Sequence, residues 1–137
     1  MSRDLLTVDR VEIADLIARL SRLLDEGRYE DAEAIYIDDV VVHSPRGGEL
    51  RGIGKVVDYL LQSQVADEHT QHLNSDLVVG IEGDNATVTA NQLVYFYRDG
   101  QPPHQTSGLR VAYTAARTPE GWRISEARIT LAWTQKT

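Results

Sequence analysis

The sequence predicts an α+β fold, with helices packed on a strongly curved antiparallel sheet. Three observations predict it: an amphipathic helical pattern near the N-terminus, long period-two apolar runs after residue 72, and no linker or low-complexity stretch between them. The 137 residues, 42% of them hydrophobic, suit one domain spanning 1–137 that buries roughly two-thirds of its unfolded surface.

The elements follow in order. From Val8 to Leu24, Ile13, Leu16, Ile17, Leu20, Leu23 and Leu24 recur at spacings of three and four, with charged residues mostly between them. Thr7 reads as the N-cap and Gly27 as the residue past the end, so the helix is expected to stop around Asp25 to Glu26. A short second helix is expected near Tyr29 to Tyr36, then a β-branched strand Val40-Val41-Val42-His43 stopped by Ser44-Pro45-Arg46-Gly47-Gly48. A third helix carries Ile53, Val56, Val57, Leu60, Leu61 and Val65 on its buried side. Four antiparallel strands follow, Leu73 to Ile81, Ala86 to Tyr97, Gln105 to Arg117 and Trp122 to Trp133, separated by Gly-, Asp- and Pro-rich turns. Three of them are twice the usual length of about 5–6 residues, and sheets that long twist and curl. In the last strand Trp122 and Ile124 have one parity and Ala127, Ile129, Leu131 and Trp133 the other, so a bulge is expected near Ser125-Glu126.

Composition excludes several functions. A net charge of −7 with no basic block disfavours nucleic acid and anionic membrane as partners. The absence of cysteine excludes disulfides, thiolate nucleophiles and sulfur-ligated metal centres. No stretch approaches the ~18 apolar residues of a membrane span, and the start, Met-Ser-Arg-Asp-Leu-Leu-Thr, has no apolar signal region, so a soluble, unprocessed, cytoplasmic protein is expected. No Ser-His-Asp elbow and no phosphate-cradling glycine loop is present, and the four histidines lack metal-ligand spacing, so no cofactor and no metal is expected.

The chemistry-bearing pair is Asp25, closing the first helix, and His72, opening the β-rich half in Thr70-Gln71-His72-Leu73-Asn74. A carboxylate orienting an imidazole is a minimal general acid/base unit that needs no cofactor. Taken alone, the residues also allow a solvated helix-ending Asp25 and a strand His72 hydrogen-bonded in the core. His43 alternates against Val40 and Val42 and is a second pocket candidate. Tyr29, Tyr36, Tyr59, Tyr95, Tyr97 and Tyr113 are available hydroxyl donors, of which Tyr29, Tyr95 and Tyr113 are taken as ligand-binding candidates. Asn91 and Gln92 interrupt an apolar strand, and whichever faces inward needs a partner; Asn91 is taken as the candidate. His69 reads as solvated and His104, in the Pro102-Pro103-His104 turn, as exposed or covering the pocket mouth; Arg110 and Arg128, mid-strand, read as outer-surface or subunit-contact charges.

The order of elements, the segment Leu23-Leu24-Asp25-Glu26-Gly27-Arg28-Tyr29-Glu30-Asp31-Ala32, the Asp38-Asp39-Val40 turn, Arg51-Gly52-Ile53, Gln71-His72 and Gly121-Trp122-Arg123-Ile124 together resemble the NTF2-like cone, in its SnoaL-like branch near scytalone dehydratase. The resemblance covers nearly the whole chain. It implies three N-terminal helices on the curved sheet, a cone-shaped pocket, and Asp25 and His72 as the family's catalytic pair. Leu24 stands where scytalone dehydratase has a carbonyl-polarising tyrosine, so that substrate is not expected. The function implied is a cofactor-independent lyase, isomerase or cyclase acting on a small, apolar, oxygenated, polyketide-like molecule in a pocket largely walled by apolar side chains. The alternative is a non-catalytic small-ligand carrier or accessory subunit, because the fold is reused for binding. The long strands also leave an apolar outer sheet face, which predicts a homodimer packed sheet against sheet.

Overall fold

The structure, a computed structural model, describes residues 3–137; Met1 and Ser2, at the start of the expected domain, lie outside the described residues. Helix α1 spans Arg3–Glu26, a 3-10 helix Tyr29–Ala34, strand β1 Tyr36–Ser44, β2 Gly48–Arg51, helix α2 Ile53–Gln62, and strands β3 His69–Glu82, β4 Asn85–Tyr97, β5 Gln105–Thr118 and β6 Gly121–Lys136. They form an α+β fold with one six-stranded sheet in the order β2-β1-β6-β5-β4-β3.

Thr7 is not a cap. Arg3-Asp4-Leu5-Leu6 contains no glycine or proline, so nothing stops α1 from running through it to Arg3. The other end is as expected: Gly27 takes φ +66°, Gly27 N–H reaches Leu24 O, and Arg28 N–H reaches Leu23 O at 3.0 Å. That bond pair is a Schellman stop, which leaves Asp25 in the last turn.

Only two of the three helical segments are α-helices, and α2 comes after β1 and β2 rather than ahead of the sheet. The expected arrangement of three N-terminal helices is thus corrected. Gly47 and Gly48 do not merely stop a strand; they turn β1 into β2, pairing Ser44 with Gly48 and Val41 with Arg51. The last strand returns beside the first, so β1 and β6 pair in parallel, Val42 opposite Ala127.

Among the described residues, three bulges in β3 and β6 set which side chains face the helices. In β6, Thr114 pairs with Glu126 and Ala115 with Ile124, so Ser125 is the extra residue where the parity change placed it. In β3 the shift falls between Ser75 and Val78, with Asp76 at φ +57°. In β6 a third falls between Leu131 and Trp133. The inner rows are Ala86, Val88, Ala90, Gln92 and Val94 of β4, Val111, Tyr113 and Ala115 of β5, and Trp122, Ile124 and Ala127 of β6. All but Gln92 and Val94 share one apolar core with Ile13, Leu16, Ile17, Leu20 and Leu23 of α1. Among the described residues no helix is long and apolar enough to cross a membrane.

Candidate active site

Side-chain hydrogen bonds fasten α1 along β3. Arg10 donates to the Val79 carbonyl, Asn74 Nδ2 donates to Ser21 Oγ at 2.8 Å, and Asp25 receives three donors from the start of β3. Ala14, Ala18, Ser21 and Asp25 recur at helical spacing and line one side of a groove, with Thr70, Gln71, His72, Asn74 and Leu77 of β3 on the other. The small alanine and serine side chains fill little of the space between helix and strand, leaving about 680 Å³, within the size range of small-molecule sites.

Asp25 and His72 meet at one end of this groove, 12% exposed for His72 and 21% for Asp25. Asp25 Oδ1 lies 2.5 Å from His72 Nδ1 and accepts Thr70 Oγ1–H at 3.0 Å, while Oδ2 accepts the His72 backbone N–H at 2.9 Å. Burial alone would push the Asp25 carboxyl up, but the bonds from the His72 ring and backbone and from Thr70 outweigh it, leaving it below the usual carboxylate value. An ionised carboxylate only accepts, so the proton of a neutral His72 sits on Nδ1. Nε2 then carries the lone pair, and it has no partner among the described residues.

A second polar chain runs inward beside the pair. Asn74 Oδ1 accepts Gln92 Nε2–H at 2.9 Å, and Gln92 in turn hydrogen-bonds the buried Tyr113 hydroxyl. Burial pushes the Tyr113 phenol up to about 12 against that bond. Gln92, not Asn91, is therefore the inward amide that needed a partner.

The other candidates are placed elsewhere. His43 lies on the outer sheet face, its Nε2 2.9 Å from Glu126 Oε2, because it has the opposite parity to buried Val40 and Val42. Asn91 is also on the outer face, donating to Asp76 at 3.2 Å. Tyr95 shares that row, half-buried. Tyr29 packs against the core from the 3-10 helix, away from the groove. Tyr113 does not line the groove and is linked to it through Gln92 and Asn74. His104 Nε2 binds Glu68 at 2.8 Å. His69 Nε2 stands 2.9 Å from Asp99, which is 83% exposed, and with Asp67 these form the one cluster of metal-capable donors among the described residues, at the surface.

The walls also differ from the expectation of apolar ones. Ala14, Ile17, Ala18, Leu77 and Tyr97 share the lining with Ser21, Arg22, Glu26, Thr70, Gln71 and Asn74. Thr70, Ser21 and Asn74 had no assigned role; the signal for Ser21 is its place in the small-residue line one turn before Asp25.

Residues 7–128 match the SnoaL-like domain family. Among relatives, an uncharacterised protein of Mycobacterium tuberculosis, Rv2910c, is 28% identical over 90% of this chain and 88% of its own. Among solved structures, a protein described as a candidate scytalone dehydratase from Novosphingobium aromaticivorans superposes with a TM-score of 0.86 at 16% identity, covering 99% of this chain and 92% of that one. The hexachlorocyclohexane dehydrochlorinase LinA-type3 of Novosphingobium barchaimii gives 0.83 at 14% identity, covering 96% and 91%. At these identities the two structures establish the shared NTF2-like fold, while the family match spans nearly the whole chain. The chain belongs to the SnoaL-like domain family.

Proposed function

We propose that this protein is a cofactor-independent lyase or isomerase in which His72 and Asp25 perform general acid/base chemistry on a small oxygenated molecule. The observation that carries the reading is the groove-lining His72 ring, fixed at Nδ1 by Asp25 with Nε2 unpartnered among the described residues. His72 Nε2 takes a proton beside a carbonyl. The electron pair released becomes a C=C bond as a β-hydroxyl leaves, and that hydroxyl departs as water with the proton Nε2 returns. Without a leaving group, return of the proton to another carbon is an isomerisation, and attack by the carbanion within one chain a cyclisation. Such proton transfers contribute about 10²–10⁴ in rate. The names dehydratase and dehydrochlorinase borne by two fold neighbours support elimination. The mixed lining favours a compact, polyketide-like fragment with several oxygens over a hydrocarbon.

The test is α-proton exchange and water loss followed by NMR in D₂O, for a panel of small aromatic and alicyclic ketones and β-hydroxyketones. Wild type should catalyse at least one, and His72→Ala should lower it by ~10²-fold or more. Equal rates in both proteins overturn the reading. A ligand bound by both and converted by neither replaces it with a carrier.

We further propose that a second copy covers the outer sheet face. Leu73, Leu93, Gly108 and Trp133 align across four strands there, and Trp133 is 48% exposed. The Trp133 ring lies where a Cβ on Gly108 would sit, at 2.3 Å. Beside this row Arg110 and Arg128, with no ion-pair partner among the described residues, share the face with Asp76 and Glu126. A twofold axis can set those opposite charges against each other. Sedimentation at micromolar concentration showing only a 15.3 kDa species overturns this.

A further inference from the structure

The chain of side chains Ser21, Asn74 and Gln92 has no role in the acid/base pair, yet two of its members line the same groove. Ser21 Oγ accepts from Asn74 Nδ2 at 2.8 Å, and no hydrogen bond given by the Ser21 hydroxyl exists among the described residues. Ser21 is nonetheless buried, 7% exposed, where a hydroxyl donor is normally used. Gln92 Nε2 occupies Asn74 Oδ1 at 2.9 Å. Asn74 must therefore turn its N–H toward Ser21, which keeps the serine an acceptor on that side and its own proton available to the groove.

The spacing fits one kind of substrate. Ser21 lies one turn before Asp25 on α1, and Asn74 lies two residues after His72 on the same side of β3. The serine hydroxyl and the histidine ring are thus separated by one helical turn and one strand repeat, roughly 5–7 Å. A base about 3 Å from a carbon and a donor about 3 Å from an oxygen two bonds farther along span a similar distance.

We infer that the Ser21 hydroxyl donates to the substrate oxygen that gains negative charge when His72 removes the neighbouring proton, with Asn74 and Gln92 as positioning residues. The site then selects molecules that carry a carbonyl, or an equivalent oxygen leaving as an anion, next to the acidic C–H. This rests on the acid/base reading of His72, and the experiment separates the two. The probes are 5-nitrobenzisoxazole and 4-nitrophenolate. In the first, the base takes the ring C–H proton, the released electron pair forms the nitrile, the N–O bond breaks, and the charge stays on the phenolate oxygen. The second binds as that phenolate and needs no base, so its spectral shift on titration reads the oxygen site alone.

Ser21→Ala should lower kcat for 5-nitrobenzisoxazole by about 10²-fold with little change in KM, as loss of one oxyanion donor does. It should also weaken 4-nitrophenolate binding about tenfold or more, and Ser21→Thr, which keeps the hydroxyl, should recover both. Gln92→Leu frees Asn74 to turn its carbonyl to Ser21 and should lower kcat in the same direction. His72→Ala should abolish turnover while still binding 4-nitrophenolate. Unchanged kcat and unchanged phenolate affinity in Ser21→Ala overturn the inference while leaving the His72 reading standing. Wild-type turnover retained in His72→Ala overturns the His72 reading, with phenolate binding still deciding Ser21. A wild-type protein that binds no 4-nitrophenolate at millimolar concentration overturns the inference outright.

Discussion

Helix α1 carries two inward carboxylates, Asp9 and Asp25, and the two ends of the helix use them differently. At the first end Asp9 accepts Arg117 Nη1–H and Nη2–H at 2.9 and 2.8 Å and Trp122 Nε1–H at 3.1 Å. Arg117 also lies over the Trp122 ring, 4.6 Å from its centroid, and pairs with Asp84 at 3.1 Å. At the other end Asp25 accepts as many donors, but two belong to His72, a groove-lining histidine whose second ring nitrogen has no partner among the described residues. Both carboxyls sit below their usual value, Asp9 chiefly through the Arg117 hydrogen bond, and Asp25 through His72 and Thr70 against its burial. A lowered carboxyl alone does not separate structure from chemistry. What separates them is whether the donor keeps a free lone pair: Arg117 never releases its proton and is committed to Asp9, Asp84 and the Trp122 ring, whereas His72 has one nitrogen left for a ligand.

His72→Ala tests that contrast with the largest expected effect, about 10²-fold or more off turnover of any exchange-active ketone, with the unfolding midpoint little changed. A smaller loss, or a matching loss of stability, would put Asp25 and Asp9 in the same structural class. Asp25→Asn should follow at roughly tenfold or more. An amide can offer its N–H₂ to Nδ1 and so move the ring proton to Nε2, removing the lone pair the reaction uses. Activity equal to wild type would remove the orienting role. Asp9→Asn should leave turnover intact but lower the thermal midpoint by several degrees, because Arg117 loses its buried counter-charge. If it slowed turnover as much as Asp25→Asn, the two ends of α1 would not be independent.

The smallest expected effect is in pH. Each carboxyl is held in the folded protein below the ordinary carboxylate value. The stability each contributes is therefore complete above about pH 4 and is lost as pH falls through the lower, folded value. Urea midpoints between pH 7 and pH 3 should fall for wild type and fall less for Asp9→Asn and for Asp25→Asn. A variant as acid-sensitive as wild type would show that its carboxylate is not the linked group.

The contrast also shows how far the sequence reaches. Asp25 and His72 were legible because each sits at a boundary, a helix stop at Gly27 and the start of a strand, and a resemblance attached them to one site. Asp9 carried a weaker signal: it stands four residues before Ile13, in line with the apolar stripe, where a charge demands a partner. Its partner lies 108 residues away, beyond the reach of any local pattern.

By itself the sequence determined the apolar stripe of α1, the stop at Gly27, the four long strands and the bulge at Ser125. All of these are consequences of residues within a few positions of one another. Tertiary structure alone decided that β1 runs parallel to β6, that Gln92 faces in and Asn91 out, and that His43 and Tyr95 stand outside. It also decided that Ser21 meets Asn74, 53 residues apart. The reason lies in strand geometry. Side chains alternate with period two, so which row faces the helices depends on register and on single-residue bulges such as that at Asp76. Those are chosen by the packing of the whole sheet against α1.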